Sequence, residues 1–320
     1  MKCVAVIGLG NIATRHRKNL KKLFPNSKLV AMSASGRAPK QAVSDCDVIV
    51  DEINELINHN VELAIVASPA PFHAKHAIPL IEANIPVLIE KPLSVSVSDS
   101  ELLLHAADRF DTPVAIGYCL RYLSSAIVFK ELLIQQAVGH IYNVNVEVGQ
   151  YLPDWRPNKD YRSSVSANAE LGGGALLELS HELDYVQWLF GSLNVKHVIL
   201  RSGDELSLDV EDCADIVAIC QSAVFNIHLD FLQRKPYRKC RVIGSLGTLE
   251  WDLIRNEITL ASAKGDEVLY SEPDWDKNQM YLNMVTDFIS KIERRDHSCI
   301  DVEEAKQSVE LIQQIRAASH

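Results

Sequence analysis

Cys3-Val4-Ala5-Val6-Ile7-Gly8-Leu9-Gly10-Asn11-Ile12-Ala13 is the stretch whose reading decides the fold. Its first five residues form a short apolar run rich in β-branched side chains, and the glycines follow without a break. Residues 14–20 can then only be a polar helix or loop. A buried strand that turns on glycines into a helix is the layout of a dinucleotide-binding βα unit. Gly8 permits the tight turn, Gly10 lets the backbone approach a pyrophosphate, and Ala13 keeps helix and strand close. Asn11 and Ile12 open the helix, where free N–H groups and the positive dipole end suit phosphates. Alone, the same glycines also serve plain turns and methyltransferase loops. Their place on the first strand of an α/β chain favours the dinucleotide reading.

Outward from that stretch, residues 1–122 alternate apolar runs with helical segments. Runs at 28–32, 47–50, 63–67, 86–89 and 113–117 are near-continuously apolar, as parallel strands buried on both faces are. Helical stretches lie between them, at 74–83 and 98–109. Repeated βα units predict an α/β fold whose N-terminal part is a Rossmann doubly wound parallel sheet. A helix over 123–136 follows, and the pattern then changes. Segments 142–148, 225–231 and 249–253 alternate strictly between apolar and polar, the mark of a sheet packed on one side only. Residues 123–320 are therefore expected to form an α+β substrate-binding and oligomerisation domain with a large, mostly antiparallel, one-faced sheet. A single helix over 175–190 should stop at Gly191, with closing helices at 287–292 and 302–318.

The 320 residues suit two domains, and a formal charge of −10 argues against a nucleic-acid partner. The basic cluster Arg15-His16-Arg17-Lys18 with Lys21-Lys22 reads as a solvated helix face. No apolar run reaches the roughly 20 residues of a membrane span, and glycines interrupt the faintly leader-like beginning. Seven scattered cysteines, odd in number and without a C-x-x-C pair, indicate neither a disulfide framework nor a structural zinc site. The expectation is a cytoplasmic protein with no metal, no membrane contact and reduced thiols.

Ligands of open α/β sheets bind beyond the C-terminal strand ends. After the second strand the loop reads Ser33-Ala34-Ser35-Gly36-Arg37, without the acid that usually meets the adenosine ribose of NAD. Two hydroxyls and an arginine suit a 2′-phosphate, so the cofactor reading is NAD(P), leaning to NADP. A surface turn whose Arg37 touches nothing is an equal alternative. Ser68-Pro69-Ala70-Pro71-Phe72-His73 follows the fourth strand and Glu90-Lys91-Pro92 the fifth. A lysine at such a strand end can reach a cleft beside the nicotinamide and hydrogen-bond a substrate hydroxyl. By itself Lys91 is also readable as one more solvated lysine. His73 and His76 mimic a metal pair in spacing only, with no carboxylate partner.

Taken together, Gly-x-Gly-x-x-Ala, Ala67-Ser68-Pro69 with His73, and the run Ala83-Asn84-Ile85-Pro86-Val87-Leu88-Ile89-Glu90-Lys91-Pro92-Leu93 resemble the Gfo/Idh/MocA oxidoreductase family. Gly117-Tyr118-Cys119-Leu120-Arg121-Tyr122 looks like its domain-crossing segment. Leu171-Gly172-Gly173-Gly174-Ala175-Leu176-Leu177-Glu178-Leu179-Ser180-His181-Glu182-Leu183-Asp184 resembles its second-domain helix, and Gly244-Ser245-Leu246-Gly247-Thr248-Leu249-Glu250 also fits. The resemblance covers nearly the whole chain. It implies that Lys91 and His181 are the catalytic pair; together with the readings of the glycine turn and of the loop after the second strand, Gly8, Gly10, Asn11, Ile12, Ala13, Ser33, Ser35, Arg37, Ser68, Pro69, His73, Glu90 and Lys91 are expected to hold the cofactor.

One departure is visible. The family commonly places an Asp four residues before the histidine, with a glycine between. Here Glu178 lies three before His181 and Ser180 replaces the glycine; both spacings fall on one helix face. Asp184 is readable as orienting the imidazole or as a solvated acid. Tyr151-Leu152-Pro153-Asp154-Trp155-Arg156-Pro157 resembles segments that approach substrate, where Trp155 stacks on a sugar ring and Arg156 bonds its hydroxyls; a packed tryptophan and a surface arginine are the even alternative. Arg121, Trp155, Arg156, Glu178 and Asp184 are thus the substrate-side candidates. By resemblance the activity is hydride transfer between a nicotinamide cofactor and a hydroxyl or ketone of a sugar-like substrate. Surface polysaccharide building blocks, including nucleotide and acidic sugars, are within that class. A homo-oligomer, dimer or tetramer, is implied through the polar sheet face of Asn226, His228, Asp230, Glu250 and Asp252. A non-catalytic dinucleotide-binding regulator of the same fold is the rival, and a methyltransferase is disfavoured by Glu-Lys-Pro.

Overall fold

Strand β1 (Cys3–Ile7) is buried over its whole length and is the hub of a six-stranded parallel sheet. A computed structural model describes residues 1–37, 39 and 42–319. The chain divides into two compact units, Met1–Cys119 with Met280–Val309, and Leu120–Gln279 with Glu310–His320.

In the first unit, α1 (Asn11–Leu23) follows β1, and the chain runs on through β2 (Lys28–Met32), β3 (Val48–Val50), α2 (Ile53–Asn58) and β4 (Leu63–Val66). Then come α3 (His73–Glu82), β5 (Val87–Glu90), α4 (Val97–Phe110) and β6 (Val114–Gly117). The order is β3-β2-β1-β4-β5-β6, every pairing parallel. Strand order therefore reverses at β1, so the loops after β1 and β4 flank the switch point where such sheets bind ligands. β1, β4, β5 and β6 expose no residue, which is why they read as continuous apolar runs. Helix α4 begins on Ser96, whose hydroxyl accepts from Asp99 N at 3.1 Å.

The second unit opens with α5 (Ser124–Ile134) and β7 (Ile141–Gly149), followed by the short α6 (Ala175–Glu178) and α7 (Ser180–Phe190). Seven strands complete its sheet: β8 (Asn194–Arg201), β9 (Cys213–Cys220), β10 (Ala223–Asp230), β11 (Tyr237–Gly244), β12 (Gly247–Asp252), β13 (Glu257–Ser262) and β14 (Gly265–Ser271). The order is β14-β13-β12-β11-β7-β10-β9-β8, antiparallel except for the parallel β7–β10 pair. On the inner face Trp251 is fully buried, stacked on Phe129 of α5 at 5.2 Å and edge-on to Tyr185 of α7 at 5.4 Å. Its indole N–H donates to Ser125 Oγ at 2.9 Å. Register places Asn226, His228, Asp230, Glu250 and Asp252 together on the opposite, polar face.

Two expectations change. The closing elements α8 (Gln279–Ile292) and α9 (Val302–Ala318) do not all join the second domain. Residues Met280–Val309 belong to the first unit, where Ile116 N donates to Ile300 O at 2.9 Å and Ile300, Val302 and Ala305 enter the core. The helix expected over 175–190 also breaks. Leu179 has φ −97° and ψ 24°, and Glu182 N bonds back only three residues to Leu179 O at 3.2 Å. That tighter turn separates Glu178, at the end of α6, from His181, so the shared-face argument for this pair does not apply. Among the described residues no helix is long and apolar enough to cross a membrane.

Candidate functional site

The glycine turn is built by close backbone approach. Gly8 has φ +114°, and a Cβ there would lie 2.4 Å from Ala67 O, so β1 and the loop after β4 meet only because Gly8 lacks one. Gly10 differs. It is the N-cap of α1, with φ −74° and no heavy atom within 4 Å of where a Cβ would stand. No side chain caps the helix, and the N–H groups of Asn11, Ile12 and Ala13 precede the first intrahelical bond, made by Thr14 N to Gly10 O at 2.9 Å. Open space over uncapped helix N–H groups fits the pyrophosphate of a dinucleotide.

Beneath the turn lie His16 and Arg17, two members of the basic cluster that reads as a solvated helix face. Ala13, His16, Arg17 and Leu20, spaced i, i+3, i+4 and i+7, form the buried stripe of α1. Arg17, 2 % exposed, donates to Ser44 O at 2.8 Å, Thr14 Oγ1 at 2.9 Å and Gly8 O at 3.4 Å, buttressing the turn from below. His16 Nε2 lies 2.7 Å from Glu90 Oε1, tying α1 to the end of β5. Tyr281, from the returning segment, stands edge-on to His16 at 6.1 Å, with the Arg15 guanidinium 4.5 Å from its ring centroid.

The strand-end candidates fall into two groups. Ser33 is buried with its hydroxyl 3.2 Å from Ser35 Oγ, while Ser35 and Arg37 are exposed on a turn closed by Gly36 N to Ser33 O at 3.1 Å. Pro69 opens a 3₁₀ turn, Ala70–Phe72, that leads into α3. Lys91 is partly exposed and joined to Pro92 by a cis peptide. Glu90 and His73, by contrast, have internal partners. Besides His16, Glu90 accepts from Lys91 N at 3.1 Å, and a side chain at Gly117 would press on it at 3.2 Å. His73 is fully buried, its Nε2 2.8 Å from Ser68 O and its Nδ1 2.9 Å from Pro92 O. It braces the loop after β4 to the loop after β5, and burial pushes its pKa down. His76 sits behind it, 2.9 Å from Ser68 Oγ, with burial lowering its pKa to about 4.

In the second unit the glycine triplet is a close-packing device. A Cβ at Gly173 would lie 2.6 Å from Val165 O, and one at Gly174, φ +102°, 2.4 Å from Glu211 Oε1. Glu211 takes that space to cap α6, its carbonyl accepting from Ala175 N at 2.9 Å and its carboxylate from Leu176 N at 3.2 Å. His181 is partly exposed in the first turn of α7, and the register of that helix is held by two ion pairs. Glu182, 0 % exposed, takes Arg238 Nε at 2.6 Å and Nη2 at 3.0 Å. Asp184, 1 % exposed, takes Arg121 Nε at 2.9 Å and Nη2 at 2.6 Å. Two substrate-side candidates, Arg121 and Asp184, are thus brought together with each other, and Asp184 is not a solvated acid. Trp155 donates to Gln150 O at 3.2 Å and packs edge-on to Phe231 at 5.5 Å. With Arg156, Lys159, Tyr161 and Ser164 it lines a cavity of about 230 Å³. The buttress Arg17 and the cap Glu211 were missed. Arg17 was detectable from the i, i+3, i+4 stripe; Glu211 carries no local signal.

Comparison with known proteins gives the family and the fold. Residues 2–118 match the model of an oxidoreductase family with an NAD-binding Rossmann fold, and residues 128–250 match the GFO/IDH/MocA C-terminal domain. Glucose-6-phosphate 3-dehydrogenase of Bacillus subtilis strain 168 is 26% identical over 70% of this chain and 66% of its own length. Inositol 2-dehydrogenase 2 of Paenarthrobacter aurescens is 31% identical over 64% of this chain and 60% of its own. The match spans 51–66% of the length of the first four curated relatives. A levoglucosan dehydrogenase solved with NADH and levoglucosan superposes with TM-score 0.85 at 17% identity, over 99% of this chain and 97% of that one. UDP-N-acetylglucosamine 3-dehydrogenase from Acidithiobacillus ferrooxidans does so with TM-score 0.78 at 18% identity, over 99% and 97%. At such identities the superpositions show a common fold. With both family models matched in order, and the glycine turn and the capped glycine helix in place, this chain belongs to the GFO/IDH/MocA oxidoreductase family.

Proposed function

We propose that the chain is an NAD(P)-dependent dehydrogenase or reductase acting on a CH–OH group of a sugar or sugar derivative, with Lys91 and His181 as its catalytic pair. The observation that carries this reading is the open, uncapped start of α1 over Gly10, a phosphate cradle with Lys91 two strands along at the end of β5. Relatives named as glucose-6-phosphate and inositol dehydrogenases support the substrate class. The nicotinamide supplies the hydride acceptor or donor; the protein's share is the proton. A neutral His181 takes the hydroxyl proton in oxidation and returns it in reduction. Lys91 hydrogen-bonds the same oxygen and stabilises the negative charge that develops on it. Trp155 and Arg156 supply an apolar face and a fork of donors for the rest of the substrate, nucleotide and acidic sugars included.

Ser33, Ser35 and Arg37 support NADP over NAD, with hydroxyls and a guanidinium where an acid would favour a bare ribose. The polar outer face of the second sheet supports assembly into a dimer or tetramer, and seven unbridged cysteines support a reducing, cytoplasmic setting. The test is fluorescence titration with NADH and NADPH, then turnover on a panel of sugars, sugar acids and nucleotide sugars. Lys91→Ala and His181→Ala should bind dinucleotide yet lose about 10²–10⁴-fold in turnover. Wild-type turnover in either variant removes the pair, and no binding of either dinucleotide removes the reading.

A further inference from the structure

We propose a zinc-type divalent metal site on the outer face of the second sheet, formed by Cys213 Sγ, the Asp215 carboxylate and His228 Nδ1, with Asp230 orienting the histidine. The four residues make a square on neighbouring antiparallel strands, because register sets Asp215 opposite His228 and Cys213 opposite Asp230. The three donor atoms lie within 4.8 Å of one another. His228 Nδ1 is 2.6 Å from Asp215 Oδ1, and Cys213 Sγ is 3.7 Å from Asp215 Oδ2. A tetrahedral ion with bonds of about 2.0–2.3 Å places its ligands roughly 3.3–3.8 Å apart, so small side-chain adjustments admit it.

The hydrogen bonds that would orient the histidine are already in place. His228 Nε2 meets Asp230 Oδ2 at 3.0 Å, the carboxylate–histidine arrangement that aims the other ring nitrogen at a metal. Asp230, 2 % exposed, is itself held by Leu232 N at 2.6 Å, Gln233 N at 2.8 Å and Gln233 Nε2 at 2.7 Å. In the single chain Asp215 is exposed, which leaves a fourth position for water or for a group of a second copy packed on this face. One thiolate, one imidazole and one carboxylate form a borderline-soft set suited to zinc rather than to magnesium or calcium. The spacing Cys-x-Asp with a histidine on the next strand carries none of the usual zinc signatures, so the sequence reading expected no metal.

The experiment titrates chelator-treated full-length protein with Co²⁺, then with competing Zn²⁺. Wild type should bind one Co²⁺ per chain with a thiolate-to-cobalt band and tetrahedral d–d absorption, and lose the bands to Zn²⁺. Cys213→Ser should abolish the thiolate band, Asp230→Asn should retain it with about 10–100-fold weaker binding, and Cys240→Ser should change neither. Absence of the band in wild type, or its survival in Cys213→Ser, overturns the site and leaves His228 as a hydrogen-bonded bridge between two aspartates. Should Cys213→Ser not fold, His228→Gln decides: unchanged Co²⁺ affinity refutes the site and a loss of tenfold or more supports it. Dinucleotide binding, measured in parallel, is independent of this outcome.

Discussion

Replacing Gly8 and Gly10 separately by alanine should separate folding from cofactor binding within one turn. At Gly8, φ +114° is strained for an L side chain, at about 1–2 kcal/mol. The new methyl would also stand 2.4 Å from Ala67 O and 2.8 Å from Ala67 C, backbone atoms that cannot rotate away. Relief by shifting β1 or the loop after β4 adds about 1–3 kcal/mol, as overpacking does elsewhere. The sum, about 2–5 kcal/mol, is a large part of a typical stability of about 5–15 kcal/mol. At Gly10 the backbone is in an ordinary region and the methyl meets nothing, so the cost to folding stays within about 1 kcal/mol. That methyl does fill the space through which the backbone would approach a phosphate. Dinucleotide affinity should fall about 10–100-fold, equivalent to about 1.4–2.8 kcal/mol. Hydrogen exchange at the amides of β1 and β4, denaturant unfolding followed by circular dichroism, and NADH titration read the two effects apart. Wild-type NADH affinity in Gly10→Ala refutes the phosphate approach, and wild-type exchange in Gly8→Ala refutes the contact with Ala67.

Three further outcomes are expected. Arg37→Ala should weaken NADPH about tenfold and leave NADH within about twofold; equal losses for both cofactors would refute a 2′-phosphate role. Arg238→Ala leaves the buried Glu182 carboxylate without its bidentate partner and should cost about 3–5 kcal/mol in denaturant unfolding; a loss under 1 kcal/mol would mean the pair does not hold α7. In metal-free protein, His228 should contribute stability that is complete below its unfolded pKa near 6.5 and vanishes as pH rises through about 9. In that window the folded state binds the extra proton, so stability falls with rising pH. With the side chain 36 % exposed, solvent screening limits the effect to about 1 kcal/mol. The gap between wild type and His228→Gln should therefore close over that window, and a gap that widens contradicts the sign.

Legibility followed range along the chain. The first sheet was readable because strands buried on both faces are apolar throughout and the turns between them are marked by local residues. In the second sheet, β7, β10 and β12 showed their alternation. β11 did not, because Tyr237, Lys239 and Arg241 mix ring, stem and charge on the outer side while only Cys240 and Val242 mark the inner one. The helix break at Leu179 was invisible for a related reason: leucine has no local preference for a break, and the geometry follows from Gly174 and Glu211 fixing the start of α6.

By itself the sequence determined the two classes of sheet, the glycine turn and the family, since each rests on periodicity or on residues adjacent in the chain. Only the tertiary structure decided what those residues touch. His16 and Arg17 became buttresses of the turn because α1 packs one stripe against the sheet. Arg121 and Asp184 became partners across 63 positions, and Cys213, Asp215, His228 and Asp230 became a square, because strand register is set by hydrogen bonds between segments that no local pattern records. The opening turn is built by its own residues, and it is buttressed by residues that only the fold brings beneath it.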